Sequence, residues 1–167
     1  MCGIIENFNN NEKISPGFID NLFKLSSEMN CRGPDFFDYY LDNSKKNFLG
    51  HLRLSIIDTS ANANQPLFSK NKRYVMSFNG EIYNYRELFK NLKNNDDDVI
   101  KSDSRVLIEH IAEHGFESTL KIVNGMFALA VYDTKEQILY LARDFFGKKP
   151  IYYYFSENFL FFSSTLK

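Results

Sequence analysis

"GMFALAVYD" (residues 125–133), followed by "QILYLARD" (137–144), "PIYYYF" (150–155) and "NFLFFSS" (158–164), reads as strand, turn, strand to the end of the chain. Working back from it, "SDSRVLIEHIAEH" and "FESTLKIV" predict a pair of helices over 103–114 and 116–123. The polar "NNDDD" (94–98) before them is a connector, and Asp96 to Asp98 read as a solvated loop. "RYVMSF" (73–78) is strand-like and runs into "NGEIYNYRELFKNL", which starts as a turn and continues as a helix. "TSANANQP" (59–66) reads as a loop, and strand candidates precede it at Phe36–Leu41 and Phe48–Ile57. "RGPD" (32–35) breaks the chain, since Gly beside Pro punctuates regular structure. Before it, Phe18, Leu22 and Leu25 stand at helical spacing behind a Ser15-Pro16 start, and "CGIIENF" opens the chain as a short strand. Strands at both ends with helices between predict a layered α+β domain rather than alternating βαβ units.

The totals narrow the function classes. At 167 residues the chain can form one domain with a substantial core. Lys plus Arg (20) nearly balances Asp plus Glu (21), so no overall field draws it to nucleic acid or anionic lipid. The aromatic runs "YLDNSKKNFLG" and "IYYYFSENFLFF" suggest half-buried strands. Cys2 and Cys31 lack paired spacing, which argues against a disulfide scaffold or a zinc cluster. "MCGIIENFNNNEK" has neither a basic head nor a long apolar run, and no segment is long enough to span a bilayer. A soluble, reducing, cytoplasmic setting is expected. The stop at "STLK", directly after a strand, suggests one domain of a longer protein.

A cysteine stands directly behind Met1, followed by Gly3. Methionine ahead of a small residue is normally trimmed, which would leave Cys2 with a thiol and a primary amine on one residue. A free thiol titrates near 8.5 and an α-amino group near 7.7–8.0, so roughly a tenth of the amine is unprotonated at neutral pH. One residue could then supply both attacking sulfur and proton acceptor. Against this stands the plain alternative that Cys2 packs as a small hydrophobe.

Four later segments bear on the choice. "RGPD" alone is a turn. "GHLRLSIID" (50–58) puts Arg53 in an apolar strand, costly for a guanidinium unless it meets a carboxylate or reaches solvent at the strand's end. "FNGEIYNY" (78–85) carries Asn-Gly, which marks a hairpin turn, or aims the Asn79 amide and the Gly80 N–H at one point. "SDSR" (102–105) reads as a helix start with Ser102 or Asp103 as N-cap.

Taken in order, "CGI", "RGPD", "GHLRLSIID", "QPL", "FNGEIYNY", "SD", "GMFALAVYD" and "ARDFFGKKPIYY" make the chain resemble one family from Cys2 to its last residue. It is similar to the glutamine-hydrolysing domain of asparagine synthetase, a class II glutamine amidotransferase of the N-terminal nucleophile hydrolase type. "RGPD" and "RLSI" favour that branch over the hexosamine and purine branches. The resemblance implies a four-layer αββα sandwich over residues 1–167. It also implies a carboxy-terminal synthetase domain, absent from this chain, that uses ATP and Mg²⁺ to amidate aspartate with the released ammonia. No cofactor is implied for the glutaminase step.

The resemblance further implies that Cys2 attacks the side-chain amide of L-glutamine, with Asn79 and the Gly80 backbone stabilising the oxyanion. Arg53 would clamp the substrate carboxylate, with Leu54, Ser55, Ile56 and Ile57 lining the site. Asp103, helped by Glu81, would hold the substrate ammonium. A free amino acid presents one anion and one cation, so its site needs one of each.

Three positions depart from the family pattern: Cys31 before "RGPD", Glu6 where a glycine is common, and Arg105 where relatives carry an acid. Glu6 and Arg105 could alter the pocket's field. Two other readings stand beside the enzyme. One is a glutamine-binding or docking module without turnover. The other is a zinc hydrolase built on His110, Glu113 and His114, an H-x-x-E-H match lacking an acidic third ligand. "FGKKP" has too few glycines for a phosphate loop, and its lysines are expected to belong to a strand connection or to touch a partner domain.

Overall fold

Two antiparallel sheets lie face to face, each covered on its outer side by helix. The computed structural model describes residues 2–9, 12–55, 63–93 and 97–166. In chain order the strands are β1 (Gly3–Asn9), β2 (Phe36–Leu41), β3 (Asn47–Arg53), β4 (Leu67–Phe68), β5 (Tyr74–Ile82), β6 (Gly125–Asp133), β7 (Ile138–Arg143), β8 (Tyr152–Phe155) and β9 (Phe159–Ser163). The helices are α1 (Pro16–Glu28), α2 (Tyr85–Lys90), α3 (Asp97–Ile100), α4 (Asp103–His114) and α5 (Phe116–Leu120). One sheet runs β2-β3-β1-β9-β8, the other β4-β5-β6-β7.

Alternation along each strand sends one set of side chains to each face. In β1, Ile5 points outward and packs with Leu22, Met29, Phe48 and Leu52 beneath α1. Ile4 points inward and meets Phe162 and, across the layer, Ala130 of β6. Leu49 of β3 likewise meets Val75 and Tyr132. The outer face of the second sheet carries Met76, Phe78, Leu129 and Val131, which bury Leu88, Val106, Leu107 and Ile111 of α2 and α4. The order is helix, sheet, sheet, helix, which is the expected four-layer sandwich.

α1 begins where Ser15-Pro16 places it, with the Ser15 hydroxyl accepting from the Phe18 N–H at 3.2 Å. α4 spans the expected 103–114, but Ser102 caps it without a side-chain bond to the helix backbone. Several expectations need correction: α3 begins at Asp97, inside the expected connector, and α5 ends at Leu120, not at residue 123. β3 ends at Arg53, not at residue 57. Ile56 and Ile57 lie outside the described residues, as do Asp96 and residues 59–62 of the expected loop. "NGEI" is not a turn: β5 continues through it, pairing Asn79 with Ala128, Gly80 with Phe127 and Ile82 with Gly125. Finally, β8 is exposed along its whole length rather than half-buried. Among the described residues, no helix is long and apolar enough to cross a membrane.

The layer between the sheets sets the stability of the fold. Phe162 is fully buried there. Phe162→Ala should cost about 3–5 kcal/mol, combining lost transfer energy with an unfilled cavity. Chemical denaturation should show a lower midpoint at unchanged slope; a loss below about 1 kcal/mol would mean the layer is not packed as described.

Candidate active site

One end of the inter-sheet layer opens into a cleft. β1 delivers Cys2 to it, the end of β3 delivers Arg53 and Leu54, β5 delivers Asn79, Gly80 and Glu81, and the start of α4 delivers Asp103. Segments far apart in sequence therefore meet at one point. Ser55, next to Leu54, does not line this cleft; its N–H donates to the Asp35 carboxylate at 2.7 Å.

The Cys2 sulfur accepts from the Leu54 N–H at 3.3 Å. Burial raises its thiol pKa, against the lowering pull of that N–H and of the Arg53 and Lys149 charges. "RGPD" builds the floor behind it. Arg32 Nε donates to the Cys2 carbonyl at 3.4 Å, and the Asp35 N–H donates to the Arg53 carbonyl at 3.1 Å. Gly33 lies so close to β3 that a Cβ would stand 2.3 Å from the Leu52 carbonyl oxygen. The motif is thus a side-chain-free contact as well as a turn.

Arg53 is buried at the strand end, where its guanidinium donates to Asn64 Oδ1. Asn79 is only 2% exposed, and among the described residues its Nδ2 has no hydrogen-bond partner. A buried amide donor left unsatisfied carries a free-energy cost that an acceptor in the cleft would relieve. Gly80 is required by close approach: a Cβ there would stand 2.2 Å from the Met126 carbonyl oxygen of β6. Asp103 accepts from the Ile82 N–H at 2.9 Å and the Ser104 N–H at 2.8 Å. Burial nonetheless pushes its carboxyl pKa up, opposed by those N–H groups.

Sequence reading missed Lys149 and Gln65, both of which line the cleft. Lys149 is brought there by the turn after β7, where Asp144 accepts from the N–H groups of Phe127, Lys148 and Lys149 at 3.0–3.1 Å. "QPL" and "FGKKP" carried no local sign of this, because both contacts span distant segments.

The departures from the family pattern lie elsewhere. Arg105 turns to β4, donating to the Phe68 carbonyl at 3.3 Å. Cys31 is exposed. Glu6 is 1% exposed within the inter-sheet layer, and neither carboxyl oxygen has a hydrogen-bond partner among the described residues, although Ser77 lies near. In "HIAEH", His110 bonds Thr119 Oγ1 at 2.9 Å, Glu113 accepts from the Lys93 N–H at 3.0 Å, and His114 reaches the Asn91 carbonyl at 3.2 Å. Among the described residues, no three His, Cys, Asp or Glu side chains are grouped to hold a metal.

A family profile described as a glutamine amidotransferase domain matches residues 1–167. The chain belongs to that family. It is 36% identical over its full length to asparagine synthetase [glutamine-hydrolyzing] 1 of Bacillus subtilis, covering 26% of that protein. Similar matches are the Brassica oleracea asparagine synthetase, 35% identical over 91% of this chain and 25% of the relative, and a putative asparagine synthetase of Methanocaldococcus jannaschii, 33% identical over 89% and 31%. The chain therefore spans about a quarter to a third of the curated relatives it matches. In fold it is similar to a solved glutamine phosphoribosylpyrophosphate amidotransferase of B. subtilis, with TM-score 0.57 and 21% identity, covering 98% of this chain and 35% of that one. This amidotransferase domain thus shares the fold of that solved structure, two antiparallel sheets between helical layers.

Burial raises the Glu6 carboxyl pKa well above its ordinary 4.5. A raised folded pKa contributes stability that is full below 4.5 and declines as pH rises toward the folded value, because only the unfolded state releases the proton. Glu6→Gln removes that decline. Its stability advantage over wild type should therefore grow by about 1.4 kcal/mol per pH unit as pH rises above 4.5, read by denaturant titration. A difference flat between pH 5 and 7 would mean that Glu6 ionises freely in the fold.

Proposed function

We propose that this domain hydrolyses L-glutamine to L-glutamate and ammonia, with Cys2 as nucleophile. The observation that carries the reading is the convergence, in one cleft, of a thiol, an unpartnered buried amide donor, a guanidinium and a carboxylate. Removal of Met1 would expose the Cys2 amine. The sulfur then adds to the substrate's amide carbon, and its proton passes to that amine. Asn79 Nδ2 and the Gly80 N–H receive the oxyanion. The C–N bond breaks as the amine returns the proton to the leaving nitrogen, giving ammonia and a thioester. Water adds to the thioester, the C–S bond breaks, and glutamate leaves with the thiol restored.

Arg53 answers the substrate α-carboxylate by charge-assisted hydrogen bonding, and Asp103 with Glu81 answers the α-ammonium. Both Asp103 oxygens already accept one backbone N–H, which holds the carboxylate in place and leaves lone pairs for a third donor.

We assign ATP and Mg²⁺ to a synthetase domain or subunit outside this chain. At "FGKKP" the N–H groups that could face a phosphate, those of Lys148 and Lys149, are engaged by Asp144. Such a partner has apolar side chains to cover here: Phe145 and Phe146 are 95% and 82% exposed, and β8 is exposed as well. Aspartate is the ammonia acceptor we propose, a reading supported by relatives named asparagine synthetase, and a reducing cytoplasm suits a free thiol nucleophile.

The test is ammonia release from glutamine by protein whose amino terminus has been verified by intact mass. Cys2→Ala should abolish turnover while leaving glutamine binding measurable by calorimetry. Undiminished ammonia release by that variant, or full activity in protein retaining Met1, would refute the mechanism. Asn79→Ala should lower kcat about 10²–10³-fold with a much smaller change in KM, the signature of a donor used mainly in the transition state. A matching rise in KM would make Asn79 a substrate-binding group instead.

A further inference from the structure

β5 has β6 on one side, but on the other β4 reaches only as far as Met76. Among the described residues, no strand pairs with that side of β5 beyond this point. In an antiparallel strand every second residue points its N–H and C=O to the same side. The Phe78 and Ile82 N–H groups point away from β6, and so does that of Gly80 between them.

Side chains complete the two flanking positions. Gln65 accepts from the Phe78 N–H through Oε1 at 2.6 Å and donates Nε2–H to the Phe78 carbonyl at 3.1 Å. Its carboxamide thus occupies the place of a neighbouring strand's peptide group. Asp103 takes the Ile82 N–H. The Phe78 carbonyl receives a second bond, at 3.0 Å, from His51 Nε2 of the opposite sheet. Because a carbonyl only accepts, that ring nitrogen carries the proton and Nδ1 is bare.

We infer that Gln65 is a positioning residue for the oxyanion donors: as a one-residue surrogate strand, it fixes the peptide between Phe78 and Asn79 and so aims the Asn79 amide and the Gly80 N–H. His51 supports it from the other sheet. Gln65 is buried, and its two bonds grip the peptide groups on both sides of the Phe78 Cα, while His51 gives the Phe78 carbonyl a second anchor, so the backbone leading into Asn79 is held at two points. This rests on the proposed glutaminase reading.

The test compares wild type with Gln65→Met, which keeps the length and loses both bonds, and Gln65→Glu, which keeps the acceptor and loses the donor. A misplaced donor should lower kcat about tenfold to a hundredfold for Gln65→Met, with KM changed less than about twofold and Gln65→Glu intermediate. The γ-aldehyde of glutamate adds reversibly to the thiol to give a tetrahedral adduct. Its affinity should fall by the same factor as kcat, while glutamine affinity measured in a Cys2→Ala background stays unchanged. Parallel loss of glutamine affinity, or unchanged kcat and aldehyde affinity in folded variants, overturns the assignment. Hydrogen exchange at the Phe78 amide separates this inference from the function it rests on. Gln65→Met should accelerate that exchange at least tenfold whether or not the wild type turns over glutamine, and unchanged exchange overturns the surrogate strand.

Discussion

The register of β5 against β6 is the constraint on which the site depends. It places Asn79 opposite Ala128 and Gly80 opposite Phe127, and those pairings fix two directions at once. Side chains at 75, 77 and 79 turn toward the other sheet, while the N–H groups at 78, 80 and 82 turn away from β6. A one-residue slip would exchange the two sets. The Asn79 amide would then leave the cleft, and the closely approached position facing Met126 would be filled by a residue with a Cβ. The proposed oxyanion donors are thus products of strand pairing, held at the end of a sheet whose interior is apolar and tightly packed.

That interior is less apolar near its centre than the surrounding clusters suggest. Glu6, Ser77 and His51 sit on inward-facing positions of β1, β5 and β3 and are almost fully buried. Burial lowers the His51 pKa to about 4 and raises that of Glu6, so the imidazole and the carboxyl are both pushed toward neutrality. These shifts pull in opposite senses with pH: the His51 contribution is lost as pH falls from 6.5 toward 4, the Glu6 contribution as pH rises above 4.5. The layer that aligns the site is held together by packing, and its burial favours the uncharged forms of Glu6 and His51.

Much of this was legible in local sequence. Helical spacing and a Ser-Pro start located α1, and α4 fell on 103–114 because its apolar repeat, its N-cap serine and Gly115 agree. Asn79-Gly80 misled because Asn-Gly is a strong hairpin signal. Here glycine answers a steric demand, the nearness of β6, that no local pattern encodes. Arg53 was legible as an anomaly, a guanidinium among apolar residues, and Cys2 as a nucleophile only through the resemblance. Gln65 and Lys149 left no mark, since their roles arise from contacts with β5 and with the opposite wall of the cleft. β8 misled in a different way: its aromatic run has strand composition, but an edge position leaves it uncovered.

The arrangement of β1 and β9 has a consequence for how the molecule is made. The first strand pairs with the last, and the Ile4 N–H is satisfied by the Ser164 hydroxyl, 160 residues away. On the ribosome, the segment bearing Cys2 emerges at the outset but waits for nearly the whole domain before its second neighbour exists. Such long-range closure slows folding and leaves an unpaired strand exposed meanwhile. Within this domain the strand behind Cys2 is therefore flanked on both sides only once β9 has been made, although the Cys2 sulfur is among the domain's first atoms synthesised.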